Sequence, residues 1–400
     1  MTSAIVIGGG IAGCSTAFAL AQRGVRVTLI ERHDGLAQEA SGNPVAMLYP
    51  KMSIKPSIQS QLLGASFSFT LGLLDTLANK NQFFNACGQI QLAFNAAESA
   101  KHDELFNMDY LHKNAWFCEF LSAEEASECA GIALKTGGIF LKQAGWVNPR
   151  LLCQALTAHP NITLQVNSHA AYIQITKNGW RVSFADEALE ADNVVICNAN
   201  DVKQFGFCQS AEITPMRGQI DFFAQNTASE HLKIIICSDH YLSPAVDGMH
   251  SIGSTYAPND LNAEISAADT QSNLAALGKI SPEILHEIDI KNVTSRVSWR
   301  SQTRDYVPLA GQLLDEVKLQ QSPPRYNAKP ESLPWLSGLY VNAGHGSKGM
   351  ITAPLCAELI ARLITKTELP IEAKLASKLN PSRFMLRELG LKLLANSLYK

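Results

Sequence analysis

Three glycines near the amino terminus, followed by one acidic residue, have the spacing of a dinucleotide-binding turn. Gly8, Gly10 and Gly13 form a Gly-x-Gly-x-x-Gly pattern, and Glu31 follows at roughly the 20-residue spacing of a ribose-binding acid. Gly8 allows a tight turn, Gly10 lets a pyrophosphate approach the backbone, and Gly13 lets a helix pack closely on a strand. A carboxylate at Glu31 can accept hydrogen bonds from both ribose hydroxyls. The four residues predict a bound dinucleotide.

The elements around this turn are those that the motif requires. An apolar run over residues 4–7 predicts a buried parallel strand, and a helix is expected from about Ile11 to Arg23. A second strand over residues 25–30 brings Glu31 to its carboxyl end. The amino terminus of the helix would present free N–H groups and a positive dipole end to the phosphates.

Further strands and helices are predicted from hydrophobic patterning along the rest of the chain. Residues 35–51 read as an extended loop, and a turn at Asn178-Gly179 predicts a β-hairpin. The strands between residues 217 and 254 suggest a separate antiparallel layer. Helices are expected near 57–79, 122–125, 149–159 and 352–365, and strands near 162–166, 170–175, 180–184, 192–200, 217–223, 233–237, 241–245, 250–254 and 338–342.

The composition limits the classes of protein to which this chain can belong. Its 400 residues and 46% hydrophobic content allow a large core with two domains, or one domain with a sizeable insertion. A formal net charge of -3 gives no general attraction to nucleic acid, so such binding would need a local patch. The nine cysteines form no CxxC pair, which favours reduced thiols and predicts no metal site. We expect a cytoplasmic protein without a signal peptide or membrane span.

Nucleotide-binding motifs are dispersed through the whole chain rather than gathered in one block. They lie at residues 8–31, 41–50, 194–200 and 344–352. This dispersal resembles the glycine oxidase and D-amino acid oxidase superfamily, whose FAD-binding domain is built from separated segments and closed by a C-terminal glycine turn. The resemblance implies FAD rather than NAD. We expect the FAD to be non-covalent, because no cysteine matches a position of covalent attachment.

A more specific resemblance comes from short sequence blocks that span nearly the entire chain. The blocks are Ala40-Ser41-Gly42-Asn43-Pro44, Leu48-Tyr49-Pro50-Lys51, Gly145-Trp146-Val147-Asn148-Pro149, Pro215-Met216-Arg217-Gly218-Gln219, Arg300 with Thr303-Arg304-Asp305-Tyr306-Val307-Pro308, Gly346-Ser347-Lys348-Gly349 with Ala353-Pro354-Leu355, and Leu379-Asn380-Pro381-Ser382-Arg383-Phe384. Together they resemble the FAD-dependent oxidoreductase domain of the MnmC family, whose bifunctional members modify the wobble uridine of tRNA.

Two departures from that family affect the interpretation. Lys348 stands where arginine is usual, which keeps the positive charge but loses the bidentate fork of a guanidinium. We expect the family's methyltransferase domain to be absent from this sequence, since the dinucleotide-binding elements begin at residue 4. We therefore expect either a stand-alone oxidoreductase or an excised domain, with a methyltransferase as a partner in the same pathway.

The resemblance implies an α/β fold with a Rossmann-like FAD-binding domain of the glycine oxidase type and an antiparallel-sheet substrate domain. The FAD-binding domain is expected at residues 1–85, 143–210 and 296–400, and the substrate domain at 86–142 and 211–295. The implied substrate is 5-carboxymethylaminomethyl-uridine, or its 2-thio form, at the tRNA wobble position. That group is an N-substituted glycine, and its oxidation would release glyoxylate and leave 5-aminomethyl-uridine.

The resemblance also assigns expected contacts to the cofactor. They are residues of the four dispersed motifs: Gly8, Gly9, Gly10, Ile11, Ala12, Gly13, Glu31, Arg32, Ser41, Gly42, Asn43, Ala199, Asn200, Gly344, Gly346, Ser347, Lys348 and Gly349.

Four residues are candidates for contact with the substrate. Arg300 is the first candidate for a carboxylate clamp, and its alternative is a structural ion pair. Arg217 could hold the carboxylate or a tRNA phosphate, or could be structural. Tyr241 lies where related oxidases present an active-site tyrosine, although an isolated tyrosine on a strand often belongs to the core. Lys348 could lie over the flavin or on the surface. For His345, the sequence favours a role in the turn over a role as a general base.

A basic C-terminal segment is the only local signal for nucleic-acid binding. Lys378, Arg383, Arg387 and Lys392 recur at roughly helical spacing, so they could form a cationic helix face toward tRNA phosphates. The alternative is a solvated helix end. Two other functions remain open from the sequence: an oxidase of free glycine, sarcosine or D-amino acids, and a flavoprotein that binds tRNA or a protein without turnover.

Overall fold

Two large β-sheets, one mainly parallel and one mainly antiparallel, organise the chain. They are seen in a computed structural model that describes residues 2–53, 57–107, 117–185 and 187–399. The strands are β1 (Ser3–Ile7), β2 (Arg26–Ile30), β3 (Ala46–Leu48), β4 (Phe84–Asn85), β5 (Gln89–Leu92), β6 (Cys118–Leu121), β7 (Gly138–Leu141), β8 (Gly145–Val147), β9 (Ile162–Gln165), β10 (Tyr172–Thr176), β11 (Gly179–Phe184), β12 (Glu187–Ala191), β13 (Asn193–Ile196), β14 (Ile213–Ala224), β15 (Ile235–Cys237), β16 (Tyr241–Leu242), β17 (Met249–Gly253), β18 (Ala257–Pro258), β19 (Thr294–Thr303), β20 (Leu309–Leu314) and β21 (Trp335–Ala343).

The helices connect and cover these sheets. The α-helices are α1 (Ile11–Ala21), α2 (Ile58–Thr76), α3 (Ala96–Asn107), α4 (Ala123–Ala130), α5 (Pro149–Thr157), α6 (Ala267–Ile280), α7 (Pro282–His286), α8 (Glu316–Gln321), α9 (Gly349–Thr365), α10 (Ala373–Leu379), α11 (Arg383–Glu388) and α12 (Lys392–Ala395). Short 3-10 turns occupy Lys80–Gln82, Ala199–Phe205, Ile290–Asn292, Pro330–Ser332 and Gly346–Lys348.

The six-stranded sheet carries the dinucleotide-binding elements that the sequence predicts. Its strand order is β20-β21-β13-β1-β2-β9, and every neighbouring pair is parallel except β20 with β21. Helices α1 and α9 cover one face and the β10–β12 sheet covers the other, which buries the apolar strands β1 and β13. The predicted α/β fold is confirmed, and so is the hairpin at Asn178-Gly179.

The larger sheet has nine strands and lies beside the first. Eight strands follow the order β18-β14-β17-β16-β15-β5-β7-β6, and β19 pairs with β14 along ten residue pairs. The predicted antiparallel layer is confirmed, with one exception, because β15 and β5 are parallel. Alternate side chains such as Ile90, Ile236 and Leu242 pack against α4 and α6. The opposite face, including Gln91 and Tyr241, borders a cavity.

Several helices begin at capping residues that fix their boundaries. Ser57 and Ser60 form a capping box at the start of α2, and Ser122 and Glu125 form one at the start of α4. The Asn148 side chain accepts from the amide of Leu151 at 3.1 Å, and a proline follows it at the first helical position of α5. These local interactions explain why the helix starts expected from the sequence lie close to the observed ones.

The structure also differs from the expectations at several places. Strand β3 lies within the predicted loop 35–51, because it pairs with β8 to form a small separate sheet. Helix α3 has no counterpart among the predicted elements. The expected domain boundary at residue 296 falls inside β19, which is hydrogen-bonded to the larger sheet. None of the helices in the described ranges combines the length and the apolar character that crossing a membrane requires.

Candidate active site

The glycine-rich turn between β1 and α1 has the close backbone packing that its sequence predicts. Gly8 adopts a φ of +110°, and its amide donates to the carbonyl of Ile30 at 2.8 Å. A Cβ atom on Gly13 would overlap the Gly8 carbonyl oxygen, so α1 can approach β1 only with glycine there. The Ile11 amide, at the first turn of α1, donates to the Ser41 hydroxyl at 3.1 Å. This end of α1 therefore faces the loop that follows β2.

Glu31 lies at the carboxyl end of β2, where the sequence predicts a ribose-binding carboxylate. Its side chain is buried, with Oε2 accepting from the Gly9 amide at 2.6 Å and Oε1 from the His33 amide at 2.8 Å. Each carboxylate oxygen has a further lone pair for another donor. The neighbouring Arg32 guanidinium forms an ion pair with Glu39 and lines the same cavity as Glu31.

Glu31→Ala should weaken FAD retention by roughly 10-fold to 100-fold, because a charged acceptor contributes about 1.5–3 kcal/mol to its hydrogen bonds. The change also leaves the Gly9 and His33 amides without their buried acceptor. The measurement is the fluorescence of FAD released on dilution. Glu31→Gln, which keeps one acceptor oxygen, should lose less FAD. Equal retention by wild type and Glu31→Ala would remove Glu31 from the cofactor site.

Two adjoining cavities run from Glu31 to the C-terminal glycine turn. The larger has a volume of about 370 Å³, and the smaller, of about 100 Å³, contains Glu31. Gly10, Ser41 and Ala199 line both, so the cavities form one continuous path. On this path the buried Asn198 Oδ1 has no hydrogen-bond partner among the described residues. An elongated path with a carboxylate at one end, a helix amino terminus along it and an unpaired polar atom fits FAD.

Most residues predicted to contact the cofactor line this path. They are Gly8, Gly9, Gly10, Ile11, Ala12, Glu31, Arg32, Ser41, Asn43, Ala199, Gly344, Gly346, Ser347, Lys348 and Gly349.

Gly13, Gly42 and Asn200 do not line the path, so the expected direct contact does not follow for them. Gly13 serves helix packing, as described above. Gly42 leaves room for the Arg296 guanidinium, which donates to the Asn43 side-chain oxygen at 2.7 Å. Asn200 Oδ1 is buried without a partner in the described structure, but it lies outside both cavities.

The C-terminal glycine turn connects β21 to α9 at the far end of the path. Gly344 and Gly346 have φ values of +73° and +56°, and a Cβ on Gly346 would overlap the Gln302 side chain. Helix α9 begins at Gly349, three residues before the predicted start at 352, which places Lys348 at its N-cap. The amino terminus of this 17-residue helix therefore opens onto the cavity.

His345 holds this turn in place through both ring nitrogens. Nδ1 lies 2.9 Å from Thr352 Oγ1, and Nε2 lies 3.0 Å from Asn342 Oδ1. Burial lowers the pKa of His345 to about 3, so the ring is neutral at physiological pH. With both nitrogens engaged, His345 acts as the turn residue that the sequence favours over a general base.

Arg300 projects from β19 into the larger cavity. Its Nη1 donates to the Thr255 carbonyl at 3.3 Å and its Nη2 donates to the Ser254 hydroxyl. In the described part of the chain, no carboxylate forms an ion pair with this guanidinium, and burial lowers its pKa. A Cβ atom on Gly218, in the neighbouring strand β14, would overlap the guanidinium. Arg300 is thus a partly buried cation with no counter-ion among the residues that the structure describes.

Tyr241 and Lys348 line the same cavity as Arg300. Burial raises the pKa of the Tyr241 phenol, which keeps it protonated and able to donate a hydrogen bond. The Lys348 ammonium lies 3.4 Å from the centroid of the Tyr49 ring. Burial, together with the nearby charge of Lys51, lowers the pKa of Lys348 to about 7. These two groups supply a proton donor and a group that exchanges a proton near neutral pH.

The lowered pKa of Lys348 predicts a stability that rises with pH. The unfolded chain holds this proton up to about pH 10.5 and the folded protein releases it near pH 7, so unfolding takes up a proton between these values. From pH 7 to pH 9, wild type should gain about 2 kcal/mol of unfolding free energy relative to Lys348→Met.

Chemical denaturation of both proteins at each pH measures this gain. Lys279→Met is the matched control, because the Lys279 side chain is 66% exposed and pairs with Asp239 on the surface. Its pH dependence should follow that of wild type. Parallel pH profiles for wild type and Lys348→Met would contradict a depressed Lys348 pKa.

Arg217, a candidate for substrate contact in the sequence analysis, lies outside the cavity. Its side chain is 3% exposed, and it does not line the cavity. Nε donates to the Asn262 carbonyl and Nη2 to the Glu264 carbonyl, each at 2.7 Å, while Nη1 pairs with Asp269. Because Arg217 is buried and each of its three nitrogens already donates within the protein, the structure favours the structural alternative over contact with a substrate carboxylate or a tRNA phosphate.

The basic C-terminal segment also differs from its prediction. Three short helices, α10, α11 and α12, replace the single cationic face. Arg383 is fully buried and pairs with Asp305 at 2.8 Å, and Arg387 pairs with the same carboxylate at 3.0 Å. The Asp305 carboxylate thus holds both guanidinium groups, with Arg383 inside the fold and Arg387 partly exposed beside it.

The other basic residues of this segment differ in their contacts and exposure. Lys378 donates to the side-chain oxygen of Asn396, whereas Lys392 is exposed. Lys400 lies outside the described residues. A tRNA-binding face made of all four predicted residues is therefore wrong.

The cavity also contains residues that sequence reasoning missed. His240 and Tyr256 line it beside Arg300. Burial lowers the pKa of His240, and its Nδ1 is buried without a hydrogen-bond partner in the described residues. Tyr256 places its ring 5.6 Å from the guanidinium carbon of Arg300. Neither residue belongs to a recognisable motif. The one feature of the sequence that could have indicated them is that they lie next to strands of the predicted antiparallel layer.

Comparison with known proteins identifies what the chain is similar to. Residues 3–363 match the family described as DAO, FAD dependent oxidoreductase. The chain is 38% identical over 401 residues to the tRNA 5-methylaminomethyl-2-thiouridine biosynthesis bifunctional protein MnmC of Methylobacillus flagellatus, covering 99% of this chain and 61% of that protein. It is 36% identical to the protein of the same name from Pseudomonas aeruginosa, covering 97% of this chain and 60% of that protein. The chain thus spans about 60% of the length of these relatives.

Solved structures support the fold. Glycine oxidase from Geobacillus kaustophilus superposes with a TM-score of 0.75 at 22% identity, covering 93% of this chain and 97% of that one. Iminodiacetate oxidase from Chelativorans sp. BNC1 superposes with a TM-score of 0.75 at 18% identity, covering 93% of this chain and 97% of that one.

Proposed function

The chain belongs to the family of FAD-dependent oxidoreductases, and we propose that it removes the carboxymethyl group from 5-carboxymethylaminomethyl-uridine, or its 2-thio form, at the wobble position of tRNA. The products are the 5-aminomethyl nucleoside and glyoxylate. The similarity to proteins named for 5-methylaminomethyl-2-thiouridine biosynthesis supports the choice of substrate. A methyltransferase, fused or separate, is the proposed partner that would act on the resulting amine.

The guanidinium of Arg300 carries this proposal. A partly buried cation without a carboxylate partner is costly unless a ligand compensates it, and a substrate carboxylate does so with two parallel hydrogen bonds. The carboxymethyl group supplies that carboxylate. Once it is fixed at Arg300, the adjacent methylene carbon, from which electrons must be removed, is oriented within the cavity.

Two further residues prepare the amine for oxidation. Lys348 Nζ, with a pKa of about 7, can accept a proton from the substrate ammonium and so favour the neutral amine. The protonated Tyr241 phenol can donate a hydrogen bond to the carboxylate and assist Arg300.

The overall chemistry is a two-electron oxidation followed by hydrolysis. When bound, FAD supplies the acceptor for the two electrons and the hydride-equivalent hydrogen. The substrate carbon between the carboxylate and the nitrogen becomes an imine carbon. Water adds to that carbon, and the carbon–nitrogen bond breaks to give glyoxylate and the primary amine on the uridine.

The test is anaerobic mixing of the purified yellow protein with tRNA that carries the carboxymethylaminomethyl group. We expect loss of the oxidised-flavin absorbance, one glyoxylate for each group oxidised, and 5-aminomethyl nucleosides by mass spectrometry. Glycine, sarcosine and D-alanine are the comparison substrates. Faster flavin reduction by these amino acids than by tRNA would favour a free amino acid oxidase, and no reduction by any of them would indicate a non-catalytic flavoprotein.

A further inference from the structure

One exposed tyrosine lines the cavity next to Arg300, and a second exposed tyrosine lies near the first. Tyr256 lines the cavity yet is 50% exposed, and its ring lies 5.6 Å from the Arg300 guanidinium carbon. Tyr306 is 58% exposed, and it lies near enough to Tyr256 to help raise the pKa of that phenol. We call this pair of exposed rings, Tyr256 beside the candidate carboxylate clamp and Tyr306 near Tyr256, the aromatic mouth.

The turn that carries Tyr306 is firmly held. Tyr306 has a φ of +57°, which is uncommon for a residue other than glycine, and its amide donates to the Thr303 carbonyl at 3.1 Å. The preceding Asp305 carboxylate is fixed by Arg383 at 2.8 Å and by Arg387 at 3.0 Å. These ion pairs place the Tyr306 ring without restricting access to it.

We propose that Tyr256 stacks on the base of the wobble uridine, and that Tyr306 stacks on a neighbouring unpaired base of the anticodon loop. The inference rests on the proposed function and deepens it, because it identifies how the site selects a nucleotide in single-stranded RNA. Sequence-specific proteins commonly bind unpaired RNA bases by stacking them on aromatic side chains.

The length of the substrate side chain supports this arrangement. Three atoms, CH2, NH and CH2, separate the pyrimidine ring from the carboxylate carbon, so the substituted ring atom lies at most about 5 Å from that carbon. A carboxylate carbon paired with a guanidinium lies about 4 Å from the guanidinium carbon, and the Tyr256 ring lies 5.6 Å from the same guanidinium carbon. A base tethered through a carboxylate at Arg300 can therefore lie against the ring of Tyr256.

The charge beside the aromatic mouth also suits RNA. Arg304 is two residues before Tyr306, and its side chain is 80% exposed with a single surface ion pair to Glu212 at 3.2 Å. An exposed arginine of this kind can contact a backbone phosphate next to a stacked base. Free glycine offers neither a base nor a phosphate, whereas an RNA substrate offers both.

The experiment measures binding of the FAD-loaded full chain to a fluorescent anticodon stem-loop RNA that carries the carboxymethylaminomethyl-uridine. Tyr256→Ala should weaken binding roughly ten-fold or more, and Tyr256→Phe should remain near wild type because it keeps the ring. Tyr326→Ala is the matched control, because Tyr326 is 88% exposed and lies outside the cavity. Its affinity should equal that of wild type. Unchanged FAD content and circular dichroism verify that each variant is folded.

A second RNA, in which the wobble nucleotide has no base, tests whether the Tyr256 ring stacks on the wobble base. It should bind wild type more weakly, and Tyr256→Ala should then cause no further loss, because the stacking partner is already gone. Additive losses would overturn the inference, and so would equal affinities of Tyr256→Ala and Tyr326→Ala for the intact RNA. Either result, with wild-type conversion of the tRNA intact, leaves the proposed function standing. Absence of conversion by wild type would instead contradict the proposed function.

Discussion

Replacing Arg300 by lysine should lower kcat/KM for the carboxymethylaminomethyl group by about 100-fold or more, with FAD content unchanged. Lysine keeps the positive charge but cannot form two parallel N–H···O bonds to a carboxylate. A displacement of about 1 Å at the reacting carbon can cost about 100-fold in rate. Gly218 leaves space that fits a planar guanidinium, and a lysine ammonium would not fill it in the same way.

The comparison is made by stopped-flow reduction of the bound flavin and by wobble-nucleoside analysis. Arg181→Lys is the matched control, because Arg181 is half exposed and pairs with Glu190 on a surface strand. That variant should retain full activity. If Arg300→Lys matched its rate, Arg300 could not be the carboxylate clamp, and the observation that carries the proposed function would be lost.

The dinucleotide half of the site could be predicted because its signals are local. Gly8, Gly13 and Glu31 act through the turn, the helix and the strand in which they lie, so their spacing along the chain encodes their geometry. The strand and helix boundaries in this region agree with the predictions within a few residues. The resemblance to dispersed FAD-binding segments then brought in the C-terminal turn, which no local pattern connects to residue 31.

The positions of the candidate substrate-binding residues depend on the pairing register of β14 and β19. A short sequence motif does not reveal that register. Arg217 and Gly218 are adjacent in one block, yet successive side chains of a strand point to opposite faces. Met216 pairs with Arg300 across β14 and β19, so Gly218 lies on the face of Arg300 and Arg217 on the other. The block therefore contributes to the site through its glycine, which makes room for the guanidinium, and not through its arginine.

The helical spacing of the basic residues near the carboxyl terminus was also insufficient to predict which of them are exposed. Lys378 to Lys392 fit one helical face only if a single helix continues, but α10 ends at Leu379 and α11 starts at Arg383. The deciding interaction is with Asp305, which lies far away in sequence. A long-range ion pair of this kind cannot be derived from spacing within the segment.

Replacing Arg383 by methionine should destabilise the protein by about 3–5 kcal/mol, the usual cost of removing one partner from a buried ion pair. The Arg383 side chain is fully buried, with Nε and Nη2 on the Asp305 carboxylate at 3.0 and 2.8 Å. Nη1 donates to the Pro308 carbonyl at 3.1 Å. Methionine keeps much of the volume but leaves the carboxylate and the carbonyl without these donors.

Urea denaturation of the FAD-loaded protein measures the loss, and Lys392→Met is the control from the same segment. Because Lys392 is exposed, its replacement should change stability by less than about 0.5 kcal/mol. If Arg383 were instead part of an RNA-binding face, Arg383→Met would weaken RNA binding with little change in the urea midpoint. Because Arg383 is buried and reaches the turn of Tyr306 only through Asp305, any loss of RNA affinity in Arg383→Met should accompany a loss of stability. A variant at Arg383 that kept its stability but lost RNA affinity would contradict the buried ion pair.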